Sequence, residues 1–302
     1  MNRRNILLTV AGAGMAANAA QAAPHPTVRT SAPRRPQIVA QDGAHLFHRD
    51  WGEGRPVVFV HGWALNSEAW AYQAADLSDQ GLRCIAYDRR GHGRSDDPGH
   101  GYDLDTLADD LHAVMETFDL RDAVLVSHSF GGKEAARYLT RHGDARVARL
   151  VFIAPAMPYL VKTADNPYGA PLDYFAGLEA AWRSDFPRWL DDNAGPYVTP
   201  QTSQGLLDWT KRQMLQASLR AVVDVGRTNV HADLRNELTR IRLPSLVIHG
   251  TKDASAPLEI TGRRVAALIP GAELKVYEDA PHGLYMTHME RLNADLLAFA
   301  KA

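Results

Sequence analysis

Short runs dominated by apolar residues recur along the chain, continuous in Pro56-Val-Val-Phe-Val60 and Ala123-Val-Leu-Val126 and mostly apolar in Arg83-Cys-Ile-Ala-Tyr87, Val147-Ala-Arg-Leu-Val-Phe-Ile153, Leu243-Pro-Ser-Leu-Val-Ile-His249 and Glu273-Leu-Lys-Val-Tyr277. Continuous rather than alternating runs suit strands buried on both faces, as in a parallel sheet. Between them the apolar positions change to helical spacing. After Ser67, taken as a cap, Ala69, Trp70, Gln73 and Leu77 share one face. Over Asp103 to Leu120 the face is Leu104, Leu107, Leu111, Val114, Met115 and Phe118. Further helices are expected from Ser129 to about His142, from Leu258 to Leu268 and from about Tyr285 to Ala300. Ahead of these units, Gln37 to Trp51 reads as two strands joined by a hairpin turn at Asp42-Gly43. Strands alternating with helices predict an α/β protein whose parallel sheet is covered on both faces.

The pattern breaks over about 154–236. That segment carries Tyr159, Tyr168, Tyr174, Phe175, Trp182, Phe186, Trp189, Tyr197 and Trp209 with several prolines, and reads as short helices inserted between strands. The opening of the chain differs again. Met1 to Asn5 is basic, Ile6 to Ala17 is apolar and small, and Ala20-Gln-Ala22 offers a cleavage site. Residues 1–22 are therefore expected to be an export signal, with Arg3-Arg4 resembling the twin-arginine type. Residues 23–36, rich in Pro, Thr and Ser, are expected to be a disordered leader before a single domain over 37–302. This predicts a periplasmic or secreted protein, or a cytoplasmic one if the signal is not used.

Composition narrows the function. The chain has 302 residues, 45% hydrophobic and 23% charged, enough for one large core. A net charge of -2 gives no footprint for nucleic acid. No run after the leader is apolar and long enough to span a bilayer. The single cysteine, Cys84, lies within an apolar run and is expected to be a buried core residue. No phosphate loop, His-Glu-x-x-His or cysteine pair is present, so neither cofactor nor metal is expected.

The chemistry is sought at strand ends. Ala123-Val-Leu-Val-Ser-His-Ser-Phe-Gly-Gly132 is a strand that turns sharply into a helix, with Ser129 at the apex and small residues, Ser127 and Gly131, on either side. This is the pattern of a nucleophile elbow, with serine where glycine is usual. A serine hydroxyl needs a base, an orienter for that base and donors for an oxyanion. Asp253 follows one later strand end and His282 the next, in the order Ser, Asp, His. Asp279 is a rival to Asp253, disfavoured by its nearness to His282. The oxyanion donors are expected to be the backbone N–H groups of Phe130, which follows the nucleophile, and Trp63, in the loop after the first buried strand. His61 is expected to brace that loop and His128 to pack. No role falls to His249 or His288.

Taken together, His61-Gly-Trp63, Tyr87-Asp-Arg-Arg-Gly-His-Gly-Arg-Ser95, Ser127-His-Ser-Phe-Gly-Gly132, Asp253 and Ala280-Pro-His-Gly283 resemble the α/β-hydrolase superfamily, closest to its cofactor-free haloperoxidase and arylesterase group. The resemblance covers about 37–302. It implies the α/β-hydrolase fold: a mostly parallel eight-stranded sheet flanked by helices, with a helical cap over about 154–236. It implies a catalytic triad of Ser129, Asp253 and His282 with oxyanion donors at Trp63 and Phe130. The implied activity is hydrolysis of small, apolar or aryl esters, or of lactones. The alternatives are peracid formation or halogenation on the same triad, and ligand reception without turnover. Ala64 stands where efficient perhydrolases of the group often carry proline, which favours hydrolysis. The expected partner is a small-molecule ester.

Overall fold

The computed structural model describes residues 36–302. The export signal expected over 1–22 lies outside the described residues, as does the leader over 23–36 apart from Pro36. The first strands, β1 (Ile38–Val39) and β2 (His45–Leu46), pair only with each other across the turn at Asp42-Gly43. The chain then enters the main sheet with β3 (His48–Trp51), β4 (Arg55–Val60), β5 (Leu82–Tyr87), β6 (Ala123–His128), β7 (Val147–Ile153), β8 (Ser245–Gly250) and β9 (Glu273–Tyr277). Their spatial order is β3-β5-β4-β6-β7-β8-β9, antiparallel at β3 and parallel elsewhere. The sheet therefore has seven strands, not the eight expected. The second arm of the first hairpin divides at Phe47, so β2 stays with the ribbon and only β3 joins the sheet.

Alternate residues along these strands serve opposite layers. Val58, Leu125, Phe152 and Val247 enter one core, while Phe59, Val126, Ile153 and Ile248 enter the other. Where both sides of the pleat are buried, as over Val57–Val60 and Leu150–Ile153, an alternating polar pattern has no place and the strand reads as a continuous apolar run. Burying each such side chain contributes roughly 1.5–3 kcal/mol. Cys84 is among them, and burial pushes its thiol up to about 12.

The helices are α1 (Ala71–Asp79), α2 (Leu104–Thr117), α3 (Gly131–His142), α4 (Leu172–Asn193), α5 (Gln204–Met214), α6 (Leu219–His231), α7 (Arg235–Leu238), α8 (Gly262–Leu268), α9 (Leu284–Thr287) and α10 (Met289–Lys301). Asp103 caps α2 by accepting from Thr106 N–H at 3.0 Å. A 3-10 turn, Ser67–Trp70, leads into α1, and its cap is Asn66 rather than Ser67. Asn66 Oδ1 accepts from Glu68 N–H at 2.9 Å, while Ser67 N–H donates to Asp88 Oδ1 at 2.7 Å. Helices α4 to α7 all lie between β7 and β8, where the inserted segment was expected. Helix α4 is longer than expected there, but Asp185 breaks it at φ -158° and ψ 83°. Pro187 follows, and Asp185 Oδ1 caps the second half through Arg188 N–H at 3.0 Å.

Candidate active site

Strand β6 stops at His128 and α3 starts at Gly131, leaving two residues to reverse the chain. Ser129 takes the strain, with φ 53° in the left-handed region. For a residue with a side chain this is costly, and such strain persists only where the surroundings over-determine it. Here Ser129 N–H donates to Ile153 O at 3.0 Å, and Ser129 O accepts from Gly132 N–H at 3.1 Å. A Cβ at Gly131 would lie 2.6 Å from Val60 O, so glycine is what allows α3 to begin against β4. Ser127, in the position where glycine is usual, donates its hydroxyl to Val151 O at 3.1 Å.

The turns after β8 and β9 bring the other two residues to the same end of the sheet. His282 Nε2 lies 2.9 Å from Ser129 Oγ, and His282 Nδ1 lies 2.7 Å from Asp253 Oδ2. All three are buried. Asp253 Oδ1 accepts from Ser255 N–H at 2.9 Å and Ala256 N–H at 2.7 Å. Burial alone would raise the Asp253 carboxyl. The charge of His282 and the hydrogen bonds from His249 and His282 outweigh it and hold the group well below the ordinary carboxylate range. Asp279, the rival, is exposed at φ 59° and donates its N–H to Thr251 Oγ1 at 2.9 Å.

Neither Trp63 N–H nor Phe130 N–H finds a protein acceptor among the described residues. Their orientation follows from the loop's own bonds. Arg89 N–H donates to His61 Nε2 at 3.0 Å, so the neutral ring carries its proton on Nδ1 and donates to Gly62 O at 2.8 Å. Burial, with the Arg89 charge added, keeps His61 well below the ordinary histidine range. Arg89 Nη1 donates to the same carbonyl at 3.3 Å, and Nη2 to His61 O at 2.7 Å. The 3.2 Å approach of Nη1 to His61 Nδ1 brings two donors together on that shared oxygen. A trans peptide points its N–H opposite its C=O, so pinning Gly62 O fixes the direction of Trp63 N–H. The bracing expected of His61 is therefore shared with Arg89.

The Trp63 ring faces the inserted helices. It lies 4.6 Å from the Trp182 ring and 5.6 Å from the Trp189 ring, and Nε1 donates to Val222 O at 2.8 Å. Ala64, next in the loop, is fully buried at φ 57°. His128 donates from Nε2 to His282 O at 3.1 Å, and burial followed by the His282 charge pushes it down to about 3. It thus supports the main chain of His282 rather than merely packing. His288 contacts Thr287 Oγ1 at 2.8 Å, away from this cluster. Sequence reasoning assigned nothing to His249, Arg89 or Glu134. The only local signal was the Asp88 to Ser95 loop, whose motif does not say what its arginines touch.

The chain matches a family model described as alpha/beta hydrolase fold over residues 55–289. It is 40% identical over 275 residues to a non-heme chloroperoxidase from Kitasatospora aureofaciens, covering 87% of this chain and 98% of that protein. It is 36% identical over 279 residues to a bifunctional esterase/perhydrolase from Acinetobacter calcoaceticus, covering 88% and 99%. The solved esterase from Exiguobacterium antarcticum superposes with a TM-score of 0.85 at 31% identity, covering 88% of this chain and 99% of that one.

Proposed function

The chain belongs to the α/β-hydrolase family, as an enzyme with esterase and haloperoxidase relatives, and we propose that it cleaves carboxylic esters through an acyl-enzyme on Ser129. The observation that carries this reading is the continuous run from Ser129 Oγ to His282 at 2.9 Å and from His282 to Asp253 at 2.7 Å. His282 Nε2 takes the hydroxyl proton as Ser129 attacks the ester carbonyl. Asp253 holds the imidazole in the tautomer with Nδ1–H and stabilises its charged form. The N–H groups of Trp63 and Phe130 receive the oxyanion, a contribution where one lost donor typically costs about 10²–10³ in rate. The proton passes from His282 to the departing alcohol, and water, activated by the same imidazole, releases the acid.

The aromatic residues of α4 and their contact with Trp63 support small, apolar or aryl esters, or lactones, as substrates. Peracid formation is the second reading, favoured by the chloroperoxidase and perhydrolase relatives. There hydrogen peroxide replaces water in attacking the acyl-enzyme. Against it, Ala64 holds φ 57°, a conformation that a proline ring excludes, so this loop is not in the form that proline would impose. Export to the periplasm or beyond belongs to the same proposal, through the basic and apolar segment of residues 1–22.

The test is purified Ser129→Ala on a short aryl ester. Loss of hydrolysis with an unchanged fold is expected, and persistent hydrolysis overturns the reading. Halogenation of an indicator that needs both peroxide and a carboxylate buffer would favour the peracid reaction.

A further inference from the structure

His249 is the penultimate residue of β8 and is buried, just before the turn that carries Asp253. Its ring is fully enclosed, so it cannot touch a substrate in solvent-accessible space. Nε2 lies 2.7 Å from Ala256 O and 3.1 Å from Asp253 Oδ2. Both neighbours are acceptors, which puts the proton on Nε2. Nδ1 is buried with no hydrogen-bond partner, and a Cβ at Gly262 would come within 2.4 Å of it. With acceptors facing Nε2 and none facing Nδ1, the tautomer with Nε2–H is the one this pocket accommodates.

The consequence lies in the carboxylate. Asp253 Oδ1 already takes two backbone N–H groups from the turn it closes. Oδ2 takes His282 Nδ1–H at 2.7 Å, and His249 Nε2, whose N–H goes first to Ala256 O, adds a longer contact to the same oxygen at 3.1 Å. The carboxylate is therefore held from three directions, by the turn, by His282 and by His249. The same His249 N–H reaches Ala256 O, which Thr261 Oγ1 also holds at 3.0 Å. Strand β8 and the turn are thereby fixed to one another at the atom that orients the base. A donor on Oδ2 also competes with His282 for the negative charge of that oxygen.

We propose that His249 is a positioning residue of the ester-cleaving site, its neutral Nε2–H fixing the Asp253 carboxylate and limiting how strongly it holds His282. The inference rests on the serine-hydrolase reading above. The ionisable groups around the ring are Asp253, then His282 and His128 across the same cluster. Removing the donor loosens the carboxylate, which lowers kcat. It also leaves more charge for His282, which moves the acid limb of kcat/KM to higher pH.

The experiment compares His249→Leu and His249→Gln in the full-length chain, with Ser129→Ala alongside. Glutamine places an N–H donor at similar reach, and leucine has none. For the leucine variant kcat on an aryl ester should fall about tenfold with KM little changed. Its acid limb should rise by about 0.5 pH unit. Glutamine should restore most of both. In the ¹⁵N-histidine spectrum of the unmodified protein, His249 should show the tautomer pattern with the proton on Nε2. A leucine variant with unaltered kcat and acid limb overturns the proposal. So does equal loss in both variants, which would assign the ring to packing, or a His249 that carries its proton on Nδ1. If the leucine variant fails to fold, the glutamine variant and the spectrum decide. Hydrolysis surviving in Ser129→Ala brings down the serine-hydrolase reading instead, whatever His249 does.

Discussion

Arg89 and Glu134 face each other in the protein interior, two guanidinium nitrogens on two carboxylate oxygens, with Arg89 Nη2 to Glu134 Oε2 at 2.9 Å. The same guanidinium holds His61 O and Gly62 O and lies 5.0 Å from the centre of the Phe130 ring. One buried ion pair therefore ties the loop bearing Trp63 to the helix that follows the elbow. Removing one partner from such a pair costs about 3–5 kcal/mol, because the other is left buried and unpaired. Arg89→Met should destabilise by that order and also lower kcat by up to about 10²–10³, since Trp63 N–H loses its fixed direction. The double variant Arg89→Met with Glu134→Leu should recover much of the stability but not the kcat. Urea denaturation and steady-state kinetics check both, and a double variant with unaltered kcat would refute the coupling.

The strain at Ser129 is measurable without activity. Both Ser129→Gly and Ser129→Ala lack a nucleophile, but only glycine adopts φ 53° freely. The glycine variant should be the more stable by about 1 kcal/mol. Denaturant midpoints decide it, and an alanine variant of equal or greater stability would mean that the elbow is unstrained.

Asp253→Asn should reduce kcat by up to about 10⁴, because the amide presents a donor where His282 needs an acceptor. Its stability should also respond to acid differently. The Asp253 carboxyl sits below its ordinary value of 3.8 in the folded chain, so its contribution is present above that pH and lost as pH falls through the lower folded value. The stability difference between parent and variant should shrink below about pH 4. A difference that stays constant down to acid unfolding would contradict the assignment.

Lys133 opens the first turns of α3 and is buried, donating to Asn229 O at 2.6 Å and Ala232 O at 2.9 Å at the end of α6. Burial pushes its ammonium down to about 7 from an ordinary 10.5. Between those values the unfolded chain holds the proton that the folded chain has released, so stability rises with pH. Below about 7 the full penalty of burying the charge applies. Relative to Lys133→Met, the parent should gain stability from pH 7 to 10. Parallel urea titrations across that range test it, and a pH-independent difference would count against the neutral form.

How much of this was legible beforehand differs by residue. Val147–Ile153 was readable because its buried part, Leu150 to Ile153, is covered on both faces and must be apolar, while Arg149 stands where the strand is only half-buried. That Ser129, Asp253 and His282 lie together was readable because each follows a strand end, and in a parallel sheet the loops after those ends meet. The eighth strand was misjudged because Phe47 diverts the chain from one sheet to another, which residue preference does not encode. The Asn66 cap was missed for a similar reason, since what redirects Ser67 N–H is the distant Asp88.

The chain's sequence by itself determined the order of strands and helices, the tight turn at Ser129 and the inserted aromatic segment. These depend on burial periodicity and local backbone geometry, which neighbouring residues carry. Only the tertiary structure decided that Arg89 meets Glu134 across 45 positions, that Trp63 docks on Trp182, and that His249 turns its Nε2 toward Asp253. Even that last pair, four residues apart, is not a helical neighbour pair. One residue ends a strand and the other lies in a loop, and their side chains meet because the turn closes back on the sheet. Contacts of this kind depend on where elements dock, and docking is a property of the packed chain rather than of any one stretch of it.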